Sequence, residues 1–224
     1  MNKVIIIGGG KGGVGKSMVS QAVLDMLREQ NENELVYVET DDANPDVYKA
    51  VNTTVKSEVC NLDNESGYVK LGSIIEQNPG ACIVINTAAR TTTGLVKHGS
   101  IIADVVREMG REMAMLWPIN RQRDCLELLK QWMDECGDFG PVYVLLNTYF
   151  GDAEKFNRYL SSKLKDRVNG TVTFPELNDL VADKMTDNRM PLWAETTGLT
   201  ISERSVLSRY RREASKELKE VLYG

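Results

Sequence analysis

The stretch GGGKGGVGKS, Gly8 to Ser17, constrains this chain more than any other part of it. Within it, Gly10–Ser17 matches the G-x-x-x-x-G-K-S/T spacing of a phosphate-binding loop, whose glycines let successive backbone N–H groups turn toward an anion. The apolar run Val4-Ile5-Ile6-Ile7 precedes it and suits a buried parallel strand. Val19, Ala22, Val23, Met26 and Leu27 follow at helical spacing. Strand, loop and helix are the context in which such a motif binds phosphate. The motif predicts a cradle of Gly10, Gly12, Gly13, Val14, Gly15, Ser17 and Met18. Lys16 would reach the β- and γ-phosphates and the Ser17 hydroxyl would ligate Mg²⁺.

Composition excludes several other classes. Hydrophobic content of 42% and charged content of 26% are those of an ordinary globular protein, and 224 residues can bury a substantial core. A net charge of −5 argues against a globally polybasic nucleic-acid binder but leaves local patches open. No apolar run approaches the ~20 residues of a membrane span, and the N-terminal run is too short for a signal peptide. Cys60, Cys82, Cys125 and Cys136 form no C-x-x-C pair, and only His98 could join them as a nitrogen ligand. A cysteine metal centre is therefore not expected, and scattered thiols fit a reducing cytoplasm.

Lys11, inside the loop, narrows the reading. The run Lys11-Gly-Gly-Val-Gly-Lys16-Ser17 resembles the deviant Walker A motif of the ParA/MinD ATPases, within the SIMIBI class of P-loop proteins. The resemblance implies that Lys11 reaches the partner's phosphates across a nucleotide-sandwich homodimer formed with ATP. It also implies a partner protein that stimulates hydrolysis.

The rest of the chain follows this pattern in order. Leu35–Val38 reads as a strand leading into Glu39-Thr40-Asp41-Asp42-Ala43-Asn44-Pro45-Asp46. Carboxylates at the end of a parallel strand beside the phosphate loop sit where Mg²⁺ and attacking water would be. Glu39-Thr40-Asp41 lines up with the Asp-x-Asp of switch I in the resembled family, in a variant similar to its plasmid-borne branch. This makes Asp41 the first candidate to position water or support the metal, and Asp46 the second. The alternative is an acidic turn capping a helix that begins near Pro45. Val55–Leu62 is read as a strand and Leu71–Glu76 as part of a helix.

Ala81–Ile85 is a buried strand that runs into Asn86-Thr87-Ala88-Ala89. Asn86 stands where the family carries the Walker B aspartate that holds Mg²⁺ through water. An amide can accept a hydrogen bond from metal-bound water but brings no charge. Slow hydrolysis is the expectation, and Asn86→Asp is expected to speed it. Helices are predicted over Thr91–Met109, containing His98 as a surface or packing residue, and over Arg121–Cys136, with strands at Met113–Pro118 and Val142–Leu146.

Asn147 ends the last of these strands. The resemblance implies that it contacts the adenine base, with Pro175 and Glu176 lining the opposite edge; a loop cap is the simpler reading of Asn147. Residues 201–222 form a helix with Leu207, Tyr210, Ala214, Leu218 and Val221 on one stripe. Arg204, Arg209, Arg211, Arg212, Lys216 and Lys219 gather beside it as a candidate patch for DNA phosphates. A solvated face with internal ion pairs is equally compatible. The stripe lacks Phe and Trp, so a membrane anchor is not expected.

Strands alternating with helices predict one domain over 1–224, an α/β, doubly wound, mostly parallel sheet with helices on both faces. The function expected is an ATP–Mg²⁺-dependent dimeric switch in plasmid partition, stability or mobilisation. The alternatives are a nucleotide-binding scaffold with little hydrolysis and a small-molecule ATP-dependent ligase or kinase.

Overall fold

The computed structural model describes residues 2–30, 34–136, 139–194 and 198–224. Seven parallel strands form one sheet: β1 Val4–Ile7, β2 Leu35–Glu39, β3 Lys56–Val59, β4 Cys82–Asn86, β5 Met113–Ile119, β6 Val142–Asn147 and β7 Gly170–Phe174. Their spatial order is β3-β2-β4-β1-β5-β6-β7. The helices are α1 Lys16–Glu29, α2 Asp46–Val51, α3 Glu65–Glu76, α4 Thr92–Glu108, α5 Arg123–Glu135, α6 Asn157–Leu160, α7 Asp179–Asp187 and α8 Ile201–Tyr223.

The period-two alternation of strand side chains explains the two layers. Val4 and Ile6 face a core built with α3, α4, α5 and α6, while Ile5 and Ile7 face one built with α1, α2, α7 and α8. Both faces of β1 are covered, which is why the strand is apolar at every position. From β1 the chain moves out to β2 and the β3 edge, returns as β4 beside β1, then crosses to β5, β6 and β7. The loops at the carboxyl ends of β1, β2 and β4 therefore converge beside this reversal, where open α/β sheets bind ligands.

Pro118 lies inside β5 without breaking it. The Gly8 N–H donates to the Leu116 carbonyl, and β1 pairing stops there. By alternation Pro118 faces the same side, past the end of β1, where the ladder asks for no donor. Long α8 starts with a capping box: the Thr200 hydroxyl accepts from Glu203 N–H and the Glu203 carboxylate accepts from Thr200 N–H. Its stripe of Leu207, Tyr210, Ala214, Leu218 and Val221 is buried as predicted. The predicted strand at Val55–Leu62 is the shorter β3, and the helix at Leu71–Glu76 begins earlier, at Glu65, capped by Asn64 accepting from Gly67 N–H. No helix of the described residues is long and apolar enough to cross a membrane.

Candidate nucleotide site

The loop from Gly8 to Gly15 leaves β1 and delivers the chain into α1. Gly13 and Gly15 have φ of 73° and 98°, the left-handed region that glycine enters without penalty. A Cβ on Gly15 would also strike the Asn147 amide nitrogen. The loop borders a cavity of about 450 Å³ lined by Gly12, Gly13, Gly15, Lys16, Ser17 and Met18. Asp41, Asn86, Asn147, Pro175 and Glu176 line the same cavity, so the predicted residues from five loops meet in one place. Gly10 and Val14 are not on its wall; Val14 is buried below the loop.

Lys16 is 9% exposed, and its Nζ donates to the Lys11 carbonyl oxygen at 2.9 Å. Burial pushes its ammonium down to about 8, against the opposing pull of Asp41, Cys125 and Glu39. It is a buried cation with no carboxylate in contact among the described residues. Lys11 turns away from the cavity: its Nζ meets Asp124 Oδ2 at 2.6 Å, at the start of α5. That contact holds the Lys11 ammonium above the ordinary lysine range.

Asp41 is half-buried on the cavity wall, with Oδ1 accepting from Asn44 N–H at 3.2 Å. The acidic-turn alternative is thus partly realised, although Pro45, at the cap of α2, provides no side-chain cap. Asp46 also lines the cavity and pairs with Lys49 at 3.4 Å. Arg90, in the loop after β4, joins three loops by donating to Asp63 and to Asp42.

Two expectations change. Asn86 is not a free amide awaiting metal-bound water. Its Nδ2 donates to both Glu39 carboxylate oxygens, at 3.0 and 3.3 Å, and its Oδ1 lies 3.1 Å from the Ser20 hydroxyl. Asn86→Asp alone would therefore set two carboxylates against each other rather than simply restore a charge. Arg211 is not available to DNA phosphates: its guanidinium forks onto Asp25 at 2.6 and 2.7 Å and reaches Glu29 at 3.3 Å. Of the remaining basic residues on α8, Arg204, Arg209, Arg212 and Lys216 are exposed and Lys219 is half-buried.

Asn147 is committed to the protein on both sides. Its Nδ2 donates to the Val14 carbonyl at 2.9 Å and its Oδ1 accepts from Tyr149 N–H at 3.1 Å. It caps the following turn and braces the phosphate loop. The far wall comes from Phe174, in the segment that leads to Pro175, and from Tyr149, Phe150 and the α7 residues Asp179, Ala182 and Asp183, which no sequence pattern indicated. His98 packs on Tyr68, with ring centroids 5.5 Å apart.

Among the described residues, no three His, Cys, Asp or Glu side chains gather as a metal cage. Ser17 and Asp41 bring a hydroxyl and a carboxylate to a wall that also carries Asp46, Glu176, Asp179 and Asp183, and a Mg²⁺ site there would be completed by phosphate oxygens and water.

Solved structures carry the same fold. The septum site-determining protein MinD of Pyrococcus horikoshii, complexed with Mg-ADP, superposes with a TM-score of 0.59 over 100% of this chain and 98% of that one, at 14% identity. A putative plasmid partition protein of Borrelia burgdorferi bound to AMPPNP gives 0.54 over 94% and 99%, also at 14% identity. The fold is therefore that of the MinD/ParA-type P-loop proteins. No protein-family profile matches the chain. Protein MobD of Acidithiobacillus ferrooxidans is 40% identical over 224 residues, covering 98% of each chain. The chain belongs to the MobD family.

Proposed function

We propose that this protein is a nucleotide-dependent switch ATPase that binds ATP with Mg²⁺ and acts in plasmid mobilisation, partition or stability. One observation carries the reading: Lys16, a buried cation with no carboxylate in contact among the described residues, faces a cavity walled by the glycine loop, Ser17 and Asp41. A phosphate would supply the missing anion, with the loop N–H groups and the start of α1 adding their dipoles. The fold neighbours bind Mg-ADP and AMPPNP, and the 40%-identical relative has a mobilisation-type name.

The chain's own residues have distinct tasks. The cradle of Gly12, Gly13, Gly15, Ser17 and Met18 orients the phosphates, and Lys16 balances their charge. Asp41 holds water in place, and Pro175 with Glu176 borders the base. Ser17, Asp41 and Asn86 would hold Mg²⁺, which would neutralise phosphate charge there. Lys11, now on Asp124, exchanges that exposed partner for the phosphates of a second copy when an ATP-bound dimer forms. Arg204, Arg212, Lys216 and Lys219 offer DNA a modest basic face, and a partner protein sets the rate of release.

Calorimetry of ATP-analogue binding tests the core of this reading. Micromolar binding by wild type and at least hundredfold loss in Lys16→Ala are expected, because a buried phosphate contact of this kind exceeds the ~1.5–3 kcal/mol of an ordinary charged hydrogen bond. No binding by wild type would refute it. A scaffold with little hydrolysis is the second reading, favoured by the amide at Asn86.

A further inference from the structure

Glu39 and Asn86 are the last residues of adjacent strands β2 and β4, and the sheet register places them directly opposite each other. Glu39 is fully buried. Its carboxylate accepts from the Tyr37 hydroxyl at 2.5 Å, from Thr40 and Asp41 N–H at 3.1 Å each, and from Asn86 Nδ2 at 3.0 Å. All four donors are neutral, and no ion pair reaches this carboxylate among the described residues. Lys16 feels this carboxylate at a distance, and a buried carboxylate with no cation in contact is costly.

The pair is wired to the phosphate loop. Ser20, one turn into α1, has its hydroxyl 2.9 Å from the Lys16 carbonyl and 3.1 Å from Asn86 Oδ1. An amide suits Asn86 because its NH₂ can face Glu39 while its oxygen faces Ser20; a carboxylate there would meet Glu39 with no proton to share. Between them the two residues have one carboxyl group, on Glu39.

We propose that Glu39 is the buried positioning carboxylate of the metal side of the site, with Asn86 as its amide partner on the neighbouring strand. This rests on reading the cavity as a Mg²⁺–nucleotide site. Glu39 acts at a distance, through the Asp41 backbone that it anchors and through the field it adds behind Asn86. The buried carboxylate on β2 thus stands opposite an amide on β4, where the resembled family has an aspartate. The consequence is a charge swap: either substitution alone disrupts the pair, and the two together rebuild it in reverse.

Four proteins test this: wild type, Glu39→Gln, Asn86→Asp and the double variant. Each is measured by thermal unfolding without nucleotide, and by calorimetric ADP binding in Mg²⁺ and in EDTA. Glu39→Gln is expected to lose at least tenfold of the Mg²⁺-dependent gain in ADP affinity, with binding in EDTA changed less than twofold. Asn86→Asp is expected to unfold at lower temperature than wild type and to gain no Mg²⁺ dependence. The double variant is expected to recover both the unfolding temperature and the Mg²⁺-dependent gain. Full Mg²⁺ dependence in Glu39→Gln, or no recovery in the double variant, overturns the inference. Wild type that binds no ADP in either buffer overturns the nucleotide reading, and the inference with it.

Discussion

The two halves of helix α1 treat buried charge in opposite ways. Lys16 at its start and Asp25 in its second half are 9% and 2% exposed. Asp25 receives the full fork of Arg211 from α8 and is electrostatically complete. Among the described residues the Lys16 ammonium bonds only a backbone carbonyl, and burial lowers it to about 8. A fold that pairs a buried carboxylate so closely leaves a buried ammonium unpaired nine residues earlier on the same helix. The difference marks one end as structure and the other as a place kept for an anion.

Removing the complete pair is expected to do most damage. Arg211→Ala leaves Asp25 buried and alone, which costs about 3 kcal/mol, the lower end for such pairs because Arg211 is partly exposed. At about 2–4 °C per kcal/mol for a chain of this size, unfolding should fall by about 6–12 °C. Arg211→Lys should recover little, since an ammonium cannot reproduce the fork. A drop under ~2 °C for Arg211→Ala would erase the contrast between the two ends.

The unpaired end should respond to pH in the reverse sense. Lys16 in the folded protein loses its proton near 8, whereas the unfolded chain keeps it to about 10.5. The folded state holds fewer protons between those values, so this group adds stability as pH rises through the window. Phosphate binding needs the charged form and should weaken over the same range. Analogue affinity is expected to fall about tenfold between pH 7 and pH 9, one proton being linked to binding. A flat affinity profile would place Lys16 outside the binding step.

Lys16→Met sharpens the contrast. It should abolish analogue binding while raising apo unfolding by about 2–4 °C, the return from removing roughly 1 kcal/mol of buried, unpaired charge. The smallest effect belongs to the exposed pair: Asp124→Ala should leave unfolding unchanged, because the 2.6 Å contact to Lys11 is solvent-screened. A clear loss of stability there would mean that Lys11 is held too firmly to leave.

Legibility in the sequence followed the range of the interactions. β1, the glycine loop and α1 were readable because each rests on local pattern: an apolar run, a fixed spacing, a helical stripe. So were the burial stripe and span of α8, apart from one residue at its end. Helix α7 was not readable, since Val181 and Met185 are its only buried residues and two positions make no stripe. The partner of Arg211, a member of the candidate DNA patch, was not legible because it lies 186 residues away. The Glu39–Asn86 contact spans 47 residues and depends on β2 landing beside β4 in one register, which no local signal specifies. Glu39 did leave a trace as an acidic residue ending an apolar strand, but its neighbour Asp41 drew the functional assignment.

The most direct test of the switch is molar mass by light scattering, without nucleotide, with ADP–Mg²⁺ and with a slowly hydrolysed ATP analogue, for wild type and Lys11→Ala. A dimer that forms only with the analogue and is lost in Lys11→Ala is the predicted result. A mass that ignores nucleotide in both proteins would contradict the account.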